Sequence, residues 1–191
     1  MDFKRYRHIW RILVVVLLAL VVATYGMRVS RLNQVYQQSD KLVGTLQTPI
    51  EWNGMKIQLT SAEIIASNDF DQRYSISHSG PLSESEPDQY ALFSISLTKI
   101  SEQEGQEWFR VEYCGAEDNG WHNLMSVEIF NSLNPNATRV SKMAVGDTQT
   151  FLLAFGLYQS AFSERTWDNL SISDISLVLS VYPEKAILQA L

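Results

Sequence analysis

Beyond residue 50, six stretches of the chain alternate between apolar and polar side chains. These stretches are MKIQLT (55–60), YALFSISLTK (90–99), WFRVEY (108–113), LMSVEIF (124–130), QTFLLAFGLY (149–158) and ISLVLSVY (175–182). Alternation with a period of two is typical of strands that bury one face. A series of such strands favours two stacked antiparallel sheets. The pattern therefore predicts an all-β fold, an antiparallel β-sandwich ectodomain over residues 50–185.

Turn-forming residues separate these stretches. Asn53-Gly54 is a strong hairpin signal, and the polar residues 117–120 also indicate a turn. The polar and acidic stretch 67–88 is rich in Ser, Gly and Pro, so it predicts a long exposed connection. Alternation fails over residues 159–169, where we expect a short helix.

The N-terminal part of the chain has a different pattern, an apolar run without charges. Residues 11–28 read RILVVVLLALVVATYGMR, with Trp10 and Tyr25 near the two ends of the run. A helix that crosses a bilayer needs about 20 apolar residues, with aromatic side chains at the interfaces. The pattern predicts one transmembrane helix over residues 12–27, preceded by a basic cytoplasmic tail over residues 1–11.

Two alternatives to an uncleaved signal anchor remain open. A basic start and a short apolar run are also typical of a cleaved signal peptide, and the run could instead be the core helix of a soluble protein. Both the anchor and the cleaved peptide would export the rest of the chain. Because positive flanks resist translocation, we expect the N-terminus in the cytoplasm and the C-terminal domain outside.

Residues 28–49 show weak helical periodicity in a Gln-rich segment. Val29, Leu32 and Tyr36 recur at roughly helical spacing. We predict a helical stalk or linker that lifts the ectodomain from the bilayer. Pro49 then ends helical structure.

Charge is distributed unevenly along the 191 residues. The net charge is −6, but the first 27 residues contain four of the 15 basic residues and one of the 21 acidic ones. The remainder is therefore strongly acidic and would repel nucleic-acid phosphates. Cys114 is the only cysteine, so no internal disulfide can stabilise the domain. We interpret it as a small buried side chain, with a reactive thiol as the alternative.

The order of the segments carries a resemblance. A basic start and an apolar helix precede MKIQLTSAEIIAS, QYALFSISLTKI and EWFRVEYCGAEDNGW, and MAVGDTQTFLLAFGL and ISLVLSVYP follow. Over residues 50–183 the chain resembles the immunoglobulin-like extracytoplasmic domains of unknown function in membrane-anchored or secreted proteins of Gram-positive bacteria. The resemblance implies a sandwich outside the cytoplasmic membrane and no activity. The Cys…Trp…Cys arrangement of antibody domains is absent.

Two groups of residues carry ligand-type side chains. The first group contains Cys114, Glu117, Asp118 and His122, whose thiol, carboxylates and imidazole could bind a metal. Their spacing matches no zinc motif, so a hairpin tip is the better interpretation.

The second group, Asp69, Asp71, Glu84 and Glu86, could offer oxygen ligands to calcium, but it lacks the spacing of a calcium loop. No nucleophile elbow or phosphate loop is present. We therefore predict no enzymatic activity, no metal and no cofactor.

Tryptophan residues beside polar turns offer a different function. Trp121 and Trp167 both have turn-like polar neighbours, and Trp and Tyr side chains are enriched at binding surfaces. We predict an interaction surface that contains Trp121, His122 and Trp167. Its partner would be a protein or an envelope polymer, and not a nucleic acid.

Three functions are consistent with these patterns. The first is a membrane-anchored, non-enzymatic binding module at the cell envelope. The second is an accessory subunit of a membrane complex that docks through its transmembrane and stalk helix. The third, an envelope hydrolase, would require a cleft with titratable groups of perturbed pKa.

Overall fold

The computed structural model describes residues 3–35, 41–76, 86–102, 109–118, 120–181 and 184–191. The chain divides into two compact units, residues 1–39 and residues 40–191.

The described residues of the first unit form one long helix, α1 (Phe3–Val35). Its segment Leu13–Arg31 has a mean hydropathy of 2.1, and none of the segment is buried. At 1.5 Å per residue the whole helix is about 50 Å long, which exceeds a hydrocarbon core of about 30 Å. The helix thus has the length and composition of a membrane span.

The described residues of the second unit form nine strands. They are β1 (Lys41–Thr45), β2 (Ile50–Trp52), β3 (Met55–Ala66), β4 (Gln89–Lys99), β5 (Gly115–Asp118), β6 (Trp121–Leu124), β7 (Thr148–Leu157), β8 (Ser176–Ser180) and β9 (Lys185–Gln189). One sheet has the order β1-β9-β8-β5-β6, and the other has the order β2-β3-β4-β7. The predicted β-sandwich is confirmed.

One strand pair departs from the predicted antiparallel pattern. β1 runs parallel to β9, with register from Lys41↔Lys185 to Thr45↔Gln189. The first strand of the domain therefore lies beside the last one and forms one edge of the five-stranded sheet. Strand β1 lies within residues 28–49, the range for which we predicted a helical stalk or linker. The sandwich extends to Gln189, beyond the predicted end at residue 185.

The core fills the space between the two sheets. Alternate residues of each long strand point inward and are buried, as a period of two requires. The four-stranded sheet contributes Ile57, Leu59, Phe93, Ile95, Phe151, Leu153 and Phe155, and the five-stranded sheet contributes Ala116, Leu177, Leu179, Ala186 and Leu188. Cys114 is part of this core, as expected for a small apolar side chain.

A second apolar cluster lies on the outer face of the four-stranded sheet. Helices α2 (Ser67–Tyr74) and α3 (Val127–Leu133) both contribute side chains to it. The Phe70 ring of α2 stacks on Tyr90 of β4 with 4.0 Å between ring centroids. Because this cluster covers the outer face of β4 at its beginning, the apolar residues 90–93 are all buried, whereas buried and partly buried residues alternate over the rest of the strand.

Three of the sequence-based expectations are wrong. Residues 67–74 form helix α2 and not an exposed connection. The buried Phe70 side chain of this helix packs on Tyr90 of the four-stranded sheet. WFRVEY contains a 3₁₀ turn at Val111–Tyr113, and LMSVEIF contains helix α3. Ser126 caps α3 by accepting a hydrogen bond from the backbone N–H of Ile129 at 3.4 Å. A serine directly before a helix is a typical N-cap, but the alternation of Met125, Val127 and Ile129 favoured a strand in the sequence analysis.

Other expectations are confirmed. The Asn53-Gly54 turn joins β2 to β3, and both residues have positive φ, 47° and 71°. The short helix expected within 159–169 is present as a 3₁₀ turn at Gln159–Ala161 followed by α4 (Glu164–Asp168). Residues 77–85, which belong to the expected exposed connection, lie outside the described residues.

The contact of β1 with the sandwich makes a testable prediction at Gly44. A Cβ atom there would lie 2.5 Å from Leu188 Cδ2 and 2.8 Å from Ile50 Cγ2. We expect Gly44→Ala to lower the free energy of unfolding by about 1–3 kcal/mol, the usual cost of overpacking. Chemical denaturation of the purified chain measures this change. Val43→Thr, at an exposed position of the same strand, should stay within about 0.5 kcal/mol of the wild type, and equal stability of both variants would contradict the pairing.

Candidate functional site

Two tryptophans that are distant in sequence converge on one phenylalanine. The ring centroid of Phe162 lies 5.3 Å from that of Trp121 and 5.8 Å from that of Trp167. We call Trp121, Phe162 and Trp167 the aromatic patch. All three side chains pack against the core but are only partly buried, so part of each side chain stays accessible to solvent.

Local sequence signals position each ring of the aromatic patch. Trp121 begins β6 directly after a tight turn, where Asp118 pairs with Trp121 and Gly120 has a φ of 95°. Trp167 lies on α4, which begins after Ser163; the Ser163 hydroxyl accepts a hydrogen bond from the Thr166 backbone N–H at 3.2 Å. This N-cap fixes where the helix starts and hence where Trp167 lies. Phe162 is in the short connection between β7 and α4.

His122 lies on the other face of β6 from Trp121, because successive strand residues point to opposite sides of a sheet. Its ring covers Gly115 on the neighbouring strand: a Cβ atom at Gly115 would be 2.6 Å from His122 Nε2. The structure therefore brings Trp121 and Trp167 together and leaves His122 outside the aromatic patch. Participation of His122 in binding stays a prediction.

Carboxylates border the aromatic patch. Asp118 pairs with Trp121 across the hairpin. Partial burial, with a smaller contribution from the negative charge of Asp174, raises the pKa of the Asp118 carboxyl above its usual range. Asp174 itself accepts a hydrogen bond from the Ser171 backbone N–H at 3.0 Å as part of a capping box. The surroundings of Trp121 are therefore negatively charged, in keeping with the acidic composition of the domain.

A cleft of about 540 Å³ lies elsewhere on the domain, between residues 109–113 and residues 127–141. Its apolar lining consists mainly of buried side chains, namely Phe109, Val111, Phe130, Val140 and Phe151. Arg110, Tyr113 and Arg139 line the same cleft and are exposed. We call this feature the arginine cleft.

Sequence reasoning missed the arginine cleft because it treated both walls as strands. One wall is the 3₁₀ turn Val111–Tyr113, and the other is α3 with the loop that follows it. The Ser126 cap of α3 is a signal that could have identified the second wall. No sequence signal that we recognise places Arg110 and Arg139 in one cleft, because that arrangement depends on tertiary packing.

Cys114, from the first group of ligand-type side chains, is buried in the core. Burial raises the pKa of the Cys114 thiol to about 12, with a smaller contribution from Glu112. The side chain is therefore a neutral thiol at physiological pH, and a neutral thiol is a poor nucleophile and metal ligand. No group of three or more His, Cys, Asp or Glu side chains in the described part of the chain could hold a metal ion. Glu84, from the acidic second group, lies outside the described residues.

Comparison with known proteins identifies a family. Residues 30–186 match the family described as "Domain of unknown function (DUF5028)". No curated protein matches the sequence.

Two solved structures are similar to this chain at low identity. One is MPT63, a secreted protein from Mycobacterium tuberculosis, with 8% identity, a TM-score of 0.43 and coverage of 78% of this chain and 97% of that one. The other is the yjhA protein from Bacillus subtilis, with 8% identity, a TM-score of 0.43 and coverage of 78% of this chain and 99% of that one. Similarity at this level carries no information about function.

The raised pKa of Asp118 makes the stability of the domain depend on pH in a defined direction. The folded state disfavours the charged carboxylate relative to the unfolded state. Asp118 therefore lowers stability above its raised folded pKa, and this cost disappears as the pH falls below the unfolded value of about 3.9. We expect Asp118→Asn to raise the melting temperature at pH 7 and to give no gain at about pH 3.

Thermal unfolding followed by circular dichroism measures this difference. Glu51→Gln, which removes an exposed carboxylate on β2, should leave the melting temperature unchanged at both pH values. A lower melting temperature for Asp118→Asn at pH 7 would contradict the assigned cause of the shift.

Proposed function

The chain belongs to the DUF5028 family, and for this member we propose the function of a non-enzymatic binding module. The N-terminal helix holds the domain at the outer face of a cell membrane. The aromatic patch contacts the partner. The observation that carries the proposal is the convergence of Trp121 and Trp167 on Phe162 without full burial. The partner is a protein or an envelope polymer.

The sequence and exposure of α1 support anchoring. The segment Leu13–Arg31 is apolar and unburied, and water is a poor solvent for so much exposed apolar surface. Four basic residues precede it against one acidic residue. That charge bias favours a cytoplasmic N-terminus, and hence an extracytoplasmic sandwich.

The physical chemistry of the aromatic patch supports binding. Large rings with few rotatable bonds provide contact area at a low cost in conformational entropy, and Trp is enriched among residues that dominate binding energy. Here the rings are already positioned by a tight hairpin and a capped helix. A preorganised patch of this kind loses little freedom when a partner binds.

The chemistry of the described side chains supports a non-enzymatic role. The thiol of Cys114 is buried and protonated, and the described part of the chain contains no group that could hold a metal. His122 packs over Gly115, on the outer face of a sheet and not in a cleft. An envelope hydrolase therefore has no supporting observation among the described residues.

One observation favours a second candidate function, an accessory subunit that docks through its helix. Helix α1 is about 50 Å long, so about 20 Å would extend beyond a hydrocarbon core of 30 Å. A partner helix could pack along that extension or along the span itself.

Site-directed photo-crosslinking distinguishes these functions. We would replace Trp121, Trp167, His122 and Leu17, one at a time, by p-benzoylphenylalanine in the full-length chain. Intact cells would be irradiated and membrane proteins recovered. We expect positions 121 and 167 to capture the same partner in the membrane fraction, because both rings belong to one patch.

His122 is the matched control, since it is adjacent to Trp121 in sequence but lies on the other face of β6. Capture from position 122 without capture from 121 or 167 would overturn the aromatic patch as the contact surface. Capture from position 17 alone would support the accessory-subunit function instead.

A further inference from the structure

Acidic side chains surround the aromatic patch. Residues 118–121 and 158–174, the two segments that carry its rings, contain four carboxylates, whereas Arg165 is their one basic residue. The four carboxylates belong to Asp118, Glu164, Asp168 and Asp174. Four negative charges against one positive charge make this surface negative at neutral pH.

Two of the carboxylates lie at Trp121. Asp118 is the direct cross-strand partner of Trp121 in the β5–β6 hairpin, so the two side chains are on the same face of the sheet with Cβ atoms about 5 Å apart. The charge of Asp174 contributes to the raised pKa of Asp118, which indicates that this second carboxylate is close to the first. Asp118 is partly buried and Asp174 is exposed. Trp121 thus combines an accessible ring edge with nearby negative charge.

The other two carboxylates flank Trp167 on helix α4. Glu164 precedes Trp167 by three residues, so their side chains are neighbours on one side of the helical turn. Asp168 follows Trp167 directly, and both carboxylates are exposed. In the part of the chain that the structure describes, the cation–π contact is that of Arg110 with Tyr113, and no Lys or Arg side chain lies over a ring of the aromatic patch. The accessible parts of these rings are therefore open to a cation from another molecule.

We propose that the partner of the aromatic patch, whose existence rests on the proposed function, contacts it through a basic stretch of polypeptide rich in arginine or lysine. The faces of Trp and Phe rings attract guanidinium and ammonium groups, and the aliphatic stems of these side chains cover apolar surface. The flanking carboxylates would pair with the charged heads. An uncharged partner would remove water from the carboxylates without supplying a counter-charge, and an acidic partner would be repelled.

Charge alone does not select this surface, because the whole domain is acidic. Long-range attraction would bring a basic segment toward any of its faces. The rings provide the selection, since they add contact area and cation–π attraction at one place. A valid test must therefore separate binding at the aromatic patch from general attraction to an acidic protein.

Isothermal titration of the full-length chain in non-ionic detergent tests the proposal. The probe is hexa-arginine amide. Hexa-glutamine amide has the same length without charge, and a hexamer of N-acetylglucosamine represents an uncharged glycan. We expect hexa-arginine to saturate one site and the two uncharged probes to bind at least about tenfold more weakly.

Variants within the aromatic patch locate the site. Trp167→Leu keeps an apolar side chain but removes the ring system, and Asp118→Asn removes one carboxylate. Each should weaken hexa-arginine binding by about threefold or more. Arg165→Gln removes the basic residue of these segments and should strengthen binding by about twofold or more. Unfolding cannot produce a gain of affinity, so this variant keeps the test decisive.

Glu51→Gln is the matched control for Asp118→Asn. It removes an exposed carboxylate from β2, and β2 and β7 form opposite edges of the four-stranded sheet. β7 is the edge next to the patch, because Asn123 Nδ2 of β6 donates a hydrogen bond to Gly156 O of β7 at 2.8 Å. The control should leave the affinity for hexa-arginine unchanged.

Three results would each overturn the proposal. The first is the absence of saturable hexa-arginine binding at millimolar concentration. The second is binding of either uncharged probe as tightly as hexa-arginine. The third is an equal loss of affinity in Glu51→Gln and Asp118→Asn, which would indicate general charge attraction. Photo-crosslinking of one partner at positions 121 and 167 together with any of these results would retain the aromatic patch as the contact surface and reject a basic partner segment.

Discussion

Packing between the two sheets is the interaction on which the rest of the structure depends. The domain has one cysteine, so burial of apolar side chains must offset the loss of chain entropy without a covalent constraint. The inward-facing residues of β3, β4 and β7 meet those of β5, β8 and β9 in one continuous core. The three rings of the aromatic patch pack against this core, and the buried apolar side chains beneath the arginine cleft belong to it.

Helix α3 connects the apolar cluster on the outer face of the four-stranded sheet with the arginine cleft. Helix α3 covers the outer face of the four-stranded sheet with Ile129 and Leu133. On its other side the same helix presents Phe130, which belongs to the main core and lines the arginine cleft. Asn134 ends α3 and fixes the following loop on β7, since its amide donates to Leu152 O at 2.8 Å and accepts from Leu152 N at 2.9 Å. The element that protects the sheet therefore also builds one wall of the cleft.

Sequence patterns predicted the parts of the structure that depend on local chemistry. The sequences of strands β3, β4, β7 and β8 alternate between apolar and polar or small residues, and the Asn53-Gly54 turn has the residues that positive φ requires. The same reasoning selected Trp121 and Trp167 but could not bring them together, because their meeting at Phe162 depends on tertiary packing. It also failed for WFRVEY and LMSVEIF, where three alternating apolar residues fit a strand as well as a capped helical turn. Pairing of β1 with β9 joins the two ends of the domain, and no short-range pattern encodes such a contact.

Equilibrium urea unfolding of residues 40–191 tests most directly whether inter-sheet packing alone holds the domain together. Far-UV circular dichroism would report the sheets, and tryptophan fluorescence would report the packing of Trp52, Trp121 and Trp167 against the core. The account predicts a β-type spectrum and a single transition with the same midpoint by both probes, unchanged by reductant. A spectrum dominated by helix, separate transitions for the two probes, or a midpoint that depends on reductant would contradict it.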